Sequence, residues 1–309
     1  MRISVVLATY NGEEYLIDQL DSLRLQSCAI DELIICDDRS TDGTVEIIKD
    51  YIQRYNLSDN WKIHINKTNL GYAKNFYNGV LMATGDYIFF CDQDDIWISD
   101  KIEIMVNVMR CNNRIKLLCC DFIPLSSSMD APKIRKSVMS RMTDNKIIQK
   151  IQLNYKNIYI GSLGCLMCIT QCFKDEIKEY WCEGWAHDDW VWKLSQCTDG
   201  CYVYHANLIY RRLHSKNVSM KSLHTVVKRV DYLKQLLVND ESLLQFALDK
   251  KIYKKYIKVI QRNIKATRLR LGLVRDRKWI NIIKLLPYNN CYHSRKSIFV
   301  EPYLVAMNK

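Results

Sequence analysis

The chain reads as an α/β protein, a Rossmann-like, mostly parallel sheet flanked by helices, with a basic helical extension at its C-terminal end. Three observations lead there. Over the first 125 residues, short apolar runs alternate with segments whose apolar residues recur at helical spacing, the pattern of strands joined by crossover helices. Polar clusters rich in Asp, Asn and Gly follow the apolar runs, at the strand ends where an open parallel sheet gathers its ligands. The charge is also split: residues 221–309 hold 20 Lys/Arg against 6 Asp/Glu, and residues 1–220 hold 25 against 28.

Taken in order, residues 3–8 form a continuous apolar strand, and Leu16, Leu20 and Leu23 then mark one face of a helix. Residues 33–36 give a second strand, and Val45, Ile48 and Ile52 a second helix. Residues 61–65 alternate as a strand, 73–82 suit a helix, and Thr84-Gly85 turns the chain into the apolar run 86–91. Ile102, Met105, Val106 and Met109 line a fourth helix, and residues 117–122 a further strand. Residues 126–150 follow no clear period and read as a mobile or acceptor-facing connection. Beyond them, short strands are expected at 166–170, 202–204 and 208–210, and helices near 172–180 and 188–195. After Ser219 the chain turns helical, with Tyr253, Tyr256, Ile257, Ile260 and Ile264 on one stripe and seven Lys/Arg between 250 and 265 around the rest. The expected division is a main domain over 1–219, in two parts over 1–125 and 126–219, and the extension over 220–309.

At 309 residues and 48% hydrophobic content the chain can bury one large core with an appendage. No run approaches the roughly 18 uncharged apolar residues of a membrane span, and acidic residues come too early for a signal peptide, so a cytoplasmic protein is expected. Thirteen cysteines, odd in number and irregularly spaced, suit reduced thiols. Cys165-x-x-Cys168 with Cys172, Cys197 and Cys201 does not make a convincing thiolate metal site.

Four strand ends supply the candidate chemistry. Ala8, Thr9, Tyr10 and Asn11 follow the first strand, Asp37, Asp38, Ser40 and Asp42 the second, Asn69 and Gly71 the third, and Asp92, Gln93, Asp94 and Asp95 the fourth. Carboxylates this dense repel one another, so either solvent screens them or a hard cation such as Mg²⁺ or Mn²⁺ neutralises them together with the oxygens of a diphosphate. Asp38 can meet a nucleobase edge or simply cap a turn. Lys74 can pair with a phosphate or remain a surface lysine. Downstream, His187, Asp188 and Asp189 stand between Trp185 and Trp190, where the rings could stack on a sugar and a carboxylate take a proton. Arg212 and His214, in YRRLHSKN, could reach the diphosphate or the metal, or lie in solvent.

The stretches ISVVLATYNGEEYL, DDRSTDGT and NLGYAKNFYNGVLMATGDYIFFCDQDDIW together resemble glycosyltransferase family 2, and GCLMC, HDDW and YRRLHSKNVS resemble its rhamnosyltransferase-like branch, which builds bacterial surface polysaccharides such as O-antigen or capsule. The resemblance covers about residues 1–219 and implies a catalytic domain there, with nucleotide-sugar binding within 1–125 and the acceptor side and catalytic base within 126–219. It implies an A-type glycosyltransferase fold, inversion by single displacement, and a nucleoside-diphosphate sugar donor, UDP- or dTDP-linked. It further implies Tyr10 and Asp38 at the base, Lys74 at the nucleotide, Asp92 at the ribose or donor sugar, Asp94 and Asp95 at a Mn²⁺ or Mg²⁺ ion, and Asp188 as general base. Two positions depart from the family pattern: Asp189 follows the base where a hydrophobic residue is usual, and Leu213 precedes His214 where Gln or Arg is usual.

The Q-x-x-R-W motif of processive synthases is missing, which favours transfer of one sugar. A sugar nucleotidyltransferase would share the sheet but needs a glycine-rich, basic phosphate loop, and LATYNGEEYL has one Gly and no Lys or Arg. Nucleic-acid binding through the tail is not expected, because the tail lacks an aromatic reading platform. The acceptor expected is a saccharide on undecaprenyl diphosphate, with the tail either docked on anionic lipid or packed as a cap on the catalytic domain or a second subunit.

Overall fold

The computed structural model describes residues 1–126, 134, 136–140, 142–214, 225–293 and 295–307. Nine strands form one sheet: β1 (Ile3–Thr9), β2 (Glu32–Asp37), β3 (Trp61–Ile65), β4 (Tyr87–Asp92), β5 (Ile96–Trp97), β6 (Leu117–Ser126), β7 (Ile148–Lys150), β8 (Met167–Thr170) and β9 (Cys201–Leu213). Its order is β3-β2-β1-β4-β8-β6-β9-β5, with β7 beside β9. β1 to β4 pair in parallel, as the alternation of runs and helices requires. The far half is mixed, because β8 lies antiparallel to both β4 and β6, and β5 and β7 antiparallel to β9.

Helices cover both faces: α1 (Leu16–Arg24), α2 (Thr44–Arg54), α3 (Tyr72–Met82), α4 (Lys101–Cys111), the short α5 (Lys136–Met139), α6 (Gln171–Ile177), α7 (His187–Cys197), α8 (Val226–Asp249), α9 (Lys254–Asp276), α10 (Asn281–Leu285) and α11 (Val300–Ala306). Because side chains alternate across a strand, each strand feeds two cores. Val5, Leu7, Ile35 and Phe89 pack with Leu20 of α1, Ile48 of α2 and Met105 of α4. Val6, Ile34, Ile88 and Phe90 pack with Phe76 of α3, Trp190 of α7, Phe246 of α8 and Ile260 of α9.

One expectation changes and one is narrowed. The segments at 202–204 and 208–210 are one strand, β9, whose register against β6 shifts on either side of Asp121, so a β-bulge bridges the polar His205-Ala206-Asn207. The basic helix does form, as α9, and of the two readings left open for the tail its stripe follows the cap, with Tyr256, Ile260 and Ile264 in the second core. The extension is thereby built into the catalytic body. Lys193 of α7, fully buried, bridges to Asp240 of α8 at 3.1 Å. The expected boundary near 219 lies outside the described residues, as do 127–133, 135 and 141 of the 126–150 connection, which ends in β7. Among the described residues no helix is long and apolar enough to cross a membrane.

Candidate functional site

The loops after β1 to β4 are laced together. Thr9 Oγ1 donates to Asp37 Oδ2 at 2.9 Å, and the Thr9 carbonyl accepts from the Asp38 N–H at 2.8 Å. Asn11, in the left-handed region at φ 47°, joins the second loop, its N–H donating to Ser40 Oγ and its Oδ1 accepting from the Thr41 N–H. The Gln93 carboxamide grips the main chain of Tyr10, accepting from its N–H at 2.8 Å and donating to its carbonyl at 3.1 Å. The Tyr10 ring is left half exposed at the rim, whereas Ala8, beside Asp92 in the sheet register, is only partly exposed.

Asp38 is buried, and its carboxylate accepts from Asn66 Nδ2 and from the N–H groups of Leu70 and Gly71 at 2.7–2.9 Å. It therefore holds the third loop in shape, at least as much as it faces a ligand. Gly71 has φ +79° where α3 begins, a backbone state that disfavours any side chain. Lys74 pairs at 2.9 Å with the exposed Glu183, close to the start of α7.

In the fourth loop the acidic residues divide. Asp95 is buried, with Oδ1 accepting from the Arg212 N–H at 3.0 Å and Oδ2 accepting no hydrogen bond. Burial, then the charge of Asp94, pushes its carboxyl well above the usual range. The same two causes raise Asp92 to about 6. Asp92, Asp95 and Cys165 bring ligand atoms within 4.8 Å of one another, while Asp94 Oδ2 lies 2.7 Å from His214 Nε2. The expected metal pair Asp94 and Asp95 is thus divided between two adjacent clusters. Arg212 buttresses both, donating from Nε to the Asp94 carbonyl and ion-pairing with Asp18 at 2.8 Å.

Two further residues join the site: Cys165, from the C-x-x-C and GCLMC stretches and expected only as a packed thiol, and Lys101, which no motif announced. Cys165 faces the carboxylates, and burial drives its thiol well above its ordinary value, so it stays protonated. Lys101 is wholly buried behind the loop, its Nζ 3.4 Å from the centre of the Trp97 ring and donating to the Cys165 carbonyl at 3.0 Å. An interior Lys four residues beyond a Trp was the available signal, hidden by its resemblance to an ordinary helix lysine.

The HDDW segment opens α7, and here three expectations fail. Trp185 and Trp190 are 0% exposed and His187 5%, so none can stack on a sugar. The His187 ring lies on Phe76 at 3.8 Å without a hydrogen bond to either nitrogen, and burial lowers its pKa to about 3. Their apolar surfaces complete the second core, a larger gain than solvent contact allows. Asp189 is also taken up, accepting from Trp185 Nε1 at 2.8 Å and pairing with Lys193 at 3.1 Å. Asp188 differs. It is partly exposed, accepts from the Asp189 N–H, and is raised to about 7 by burial first, then by the charges of Asp189 and, across the crevice, Asp92.

The arrangement is therefore a rim of polar loops, an acidic cluster among them and the Asp188 carboxylate, which has no cation partner among the described residues, within electrostatic reach of Asp92. Residues 4–172 match the family model described as glycosyl transferase family 2. The chain belongs to glycosyl transferase family 2. Among family relatives, a dTDP-rhamnosyl transferase RfbG of Shigella flexneri is 39% identical over 110 residues, 35% of this chain and 38% of its own. A UDP-Glc:alpha-D-GlcNAc-diphosphoundecaprenol beta-1,3-glucosyltransferase WfgD of Escherichia coli is 32% identical over 111 residues, 36% of this chain and 42% of its own. The aligned stretch spans less than half the length of either relative. The fold is that of A-type glycosyltransferases: TarS of S. aureus with UDP superposes at a TM-score of 0.64 and 17% identity, over 100% of this chain and 89% of that one. The mannosyltransferase PcManGT of Pyrobaculum calidifontis, with GDP-Man and Mn²⁺, gives 0.59 and 12%, over 100% and 88%.

Proposed function

We propose that this family 2 member is an inverting glycosyltransferase that moves one sugar from a UDP- or dTDP-sugar to a hydroxyl of a lipid-linked saccharide in bacterial surface-polysaccharide synthesis. The observation that carries the reading is Asp188: the one carboxylate of HDDW left without a cation, partly exposed, and within electrostatic reach of Asp92. The names of RfbG and WfgD support a dTDP- or UDP-linked donor, and that of WfgD an acceptor on diphosphoundecaprenol.

Tyr10 would lie on the nucleobase, with Asp38 and the loop it shapes at the base edge, Lys74 on the nucleotide and Asp92 on the ribose or donor sugar. A divalent cation fits the floor of the site, because Asp95 Oδ2 is a buried acceptor without a hydrogen bond and the charges around it repel. Asp95 with Asp92, or Asp94 with His214, would hold Mn²⁺ or Mg²⁺, and carboxylate oxygens suit either. Such an ion offsets charge on the departing diphosphate. Cys165, held as a thiol, leaves the hard cation to the oxygens.

Asp188 takes the proton of the acceptor hydroxyl while that oxygen bonds to the anomeric carbon and the bond from that carbon to the nucleoside diphosphate breaks. Its raised pKa suits it to act as a base near neutrality. The attack comes from the face opposite the leaving group, so an α-linked donor gives a β-linked product. Proton NMR of the product made from such a donor is the test, and an α-linked product would overturn the inverting mechanism. Loss of turnover on chelation, regained with Mn²⁺ or Mg²⁺, is expected; unchanged turnover would remove the metal.

A further inference from the structure

Beyond α9 the surface changes character. Arg277 ends that helix in the left-handed region at φ 52°, and the chain turns into α10. α10 is fastened inward by two residues one turn apart: Asn281 Nδ2 donates to the Leu269 carbonyl at 2.9 Å, and Leu285 is buried with Ala266, Leu273 and Cys291. With 281 and 285 turned in, the outward side falls to Trp279, Ile280, Ile283 and Leu286, which are 47%, 56%, 64% and 60% exposed. Large apolar side chains gathered this way carry an interaction, unlike ones scattered singly. They sit in strongly cationic chain, since residues 277–300 hold Arg277, Lys278, Lys284, Arg295 and Lys296 and no Asp or Glu. Lys278 and Lys284 are exposed beside the apolar side chains, Lys278 lying 3.6 Å from Asp276 at the end of α9.

We propose that this face, Trp279, Ile280, Ile283 and Leu286 with Lys278 and Lys284, docks the protein on an anionic lipid bilayer. Its purpose rests on the transferase reading, which puts the acceptor on a lipid; its geometry does not. An amphipathic segment with Trp, Ile and Leu on one side and Lys beside them sits at the headgroup boundary, apolar side in, cations on lipid phosphates. Trp suits that boundary because its ring is apolar and its N–H stays wet. A second copy of the chain fits less well. A two-fold contact would set Lys278 and Lys284 against their own kind, and four side chains fall far short of the roughly 20–30 residues a side of a stable interface.

The test uses the full chain, with flotation on vesicles of phosphatidylcholine alone and of phosphatidylcholine with about 30% phosphatidylglycerol. Association with the anionic vesicles that weakens with salt is expected. It should fall about tenfold or more in Ile280→Ser/Ile283→Ser, and likewise in Lys278→Glu/Lys284→Glu. The altered side chains are exposed, so both variants should melt like the parent, and UDP binding by calorimetry, which reports on the transferase reading alone, should be unchanged. Three results would overturn the proposal: no binding by the parent, equal binding by the Ser variant, or a dimer in sedimentation equilibrium that the Ser variant dissociates while its vesicle binding persists.

Discussion

Asp188 and Asp189 are neighbours with opposite fates, decided by which side of α7 each occupies. Asp189 meets Trp185 Nε1 and Lys193; Asp188 meets only like charge and a backbone N–H. Asp188→Asn should lower kcat/KM by about 10²–10⁴ with donor affinity retained, as steady-state kinetics and calorimetry would show. With Asp188 as the proposed base, a carboxyl raised to about 7 is largely protonated at pH 6, so parent activity should climb with pH and level off above 7. The same variant should be more stable than the parent at neutral pH. The native carboxyl holds its proton up to about 7 while the unfolded one loses it near 4, so parent stability declines with rising pH across that window and Asn escapes the decline. Below pH 4 the two melting curves should coincide. Gly164 makes a second case. A Cβ there would lie 2.2 Å from His187 Nε2, and that ring is clamped on Phe76, so Gly164→Ala should cost about 1–3 kcal/mol in urea unfolding.

Elements were legible in proportion to how local their causes are. β1 to β4 and α1 to α4 are legible because each helix buries one apolar side at helical spacing, whereas β1, β2 and β4 are continuous apolar runs covered on both faces. β9 is not, because the polar His205 looks like a break when it is a bulged position whose ring bonds to Asp121 and Gln149 across the sheet. The apolar stripe of α9 was readable, but which surface it covers was not, because that depends on where α7 and α8 lie. The candidate site was similarly half legible. Four loops at the strand ends announce themselves in Asp, Asn and Gly, whereas aromatic residues flanking an acidic pair look alike whether they face a sugar or the core. At the junction of elements, Lys193 between Asp189 and Asp240 makes its own prediction. Lys193→Met should destabilise by about 3–5 kcal/mol by leaving Asp240 buried without its cation, and Asp240→Leu added to it should recover much of the loss in chemical denaturation.

For the whole molecule, the acidic-leaning body and the cationic extension share one hydrophobic core, so the charge asymmetry is not a division into separable parts. A chain ended at residue 224 should expose the faces of Phe173, Val191 and Leu194 that α8 and α9 help to cover. It should bind a hydrophobic dye and sediment as aggregate, whereas the full chain stays dispersed. The tail is thereby both a wall of the catalytic body and, at α10, its outermost surface.

The grip of Gln93 on the Tyr10 main chain makes the loop after β1 and the acidic loop after β4 one lever. A cation that settles the DQDD loop must also settle the tyrosine, and a nucleotide that pins the tyrosine must settle the loop. Such linkage is reciprocal: Mn²⁺ should sharpen UDP affinity by the same factor by which UDP sharpens Mn²⁺ affinity. In Gln93→Ala the coupling between the two calorimetric titrations should shrink, leaving the part carried by direct attraction between cation and diphosphate, while each ligand still binds on its own.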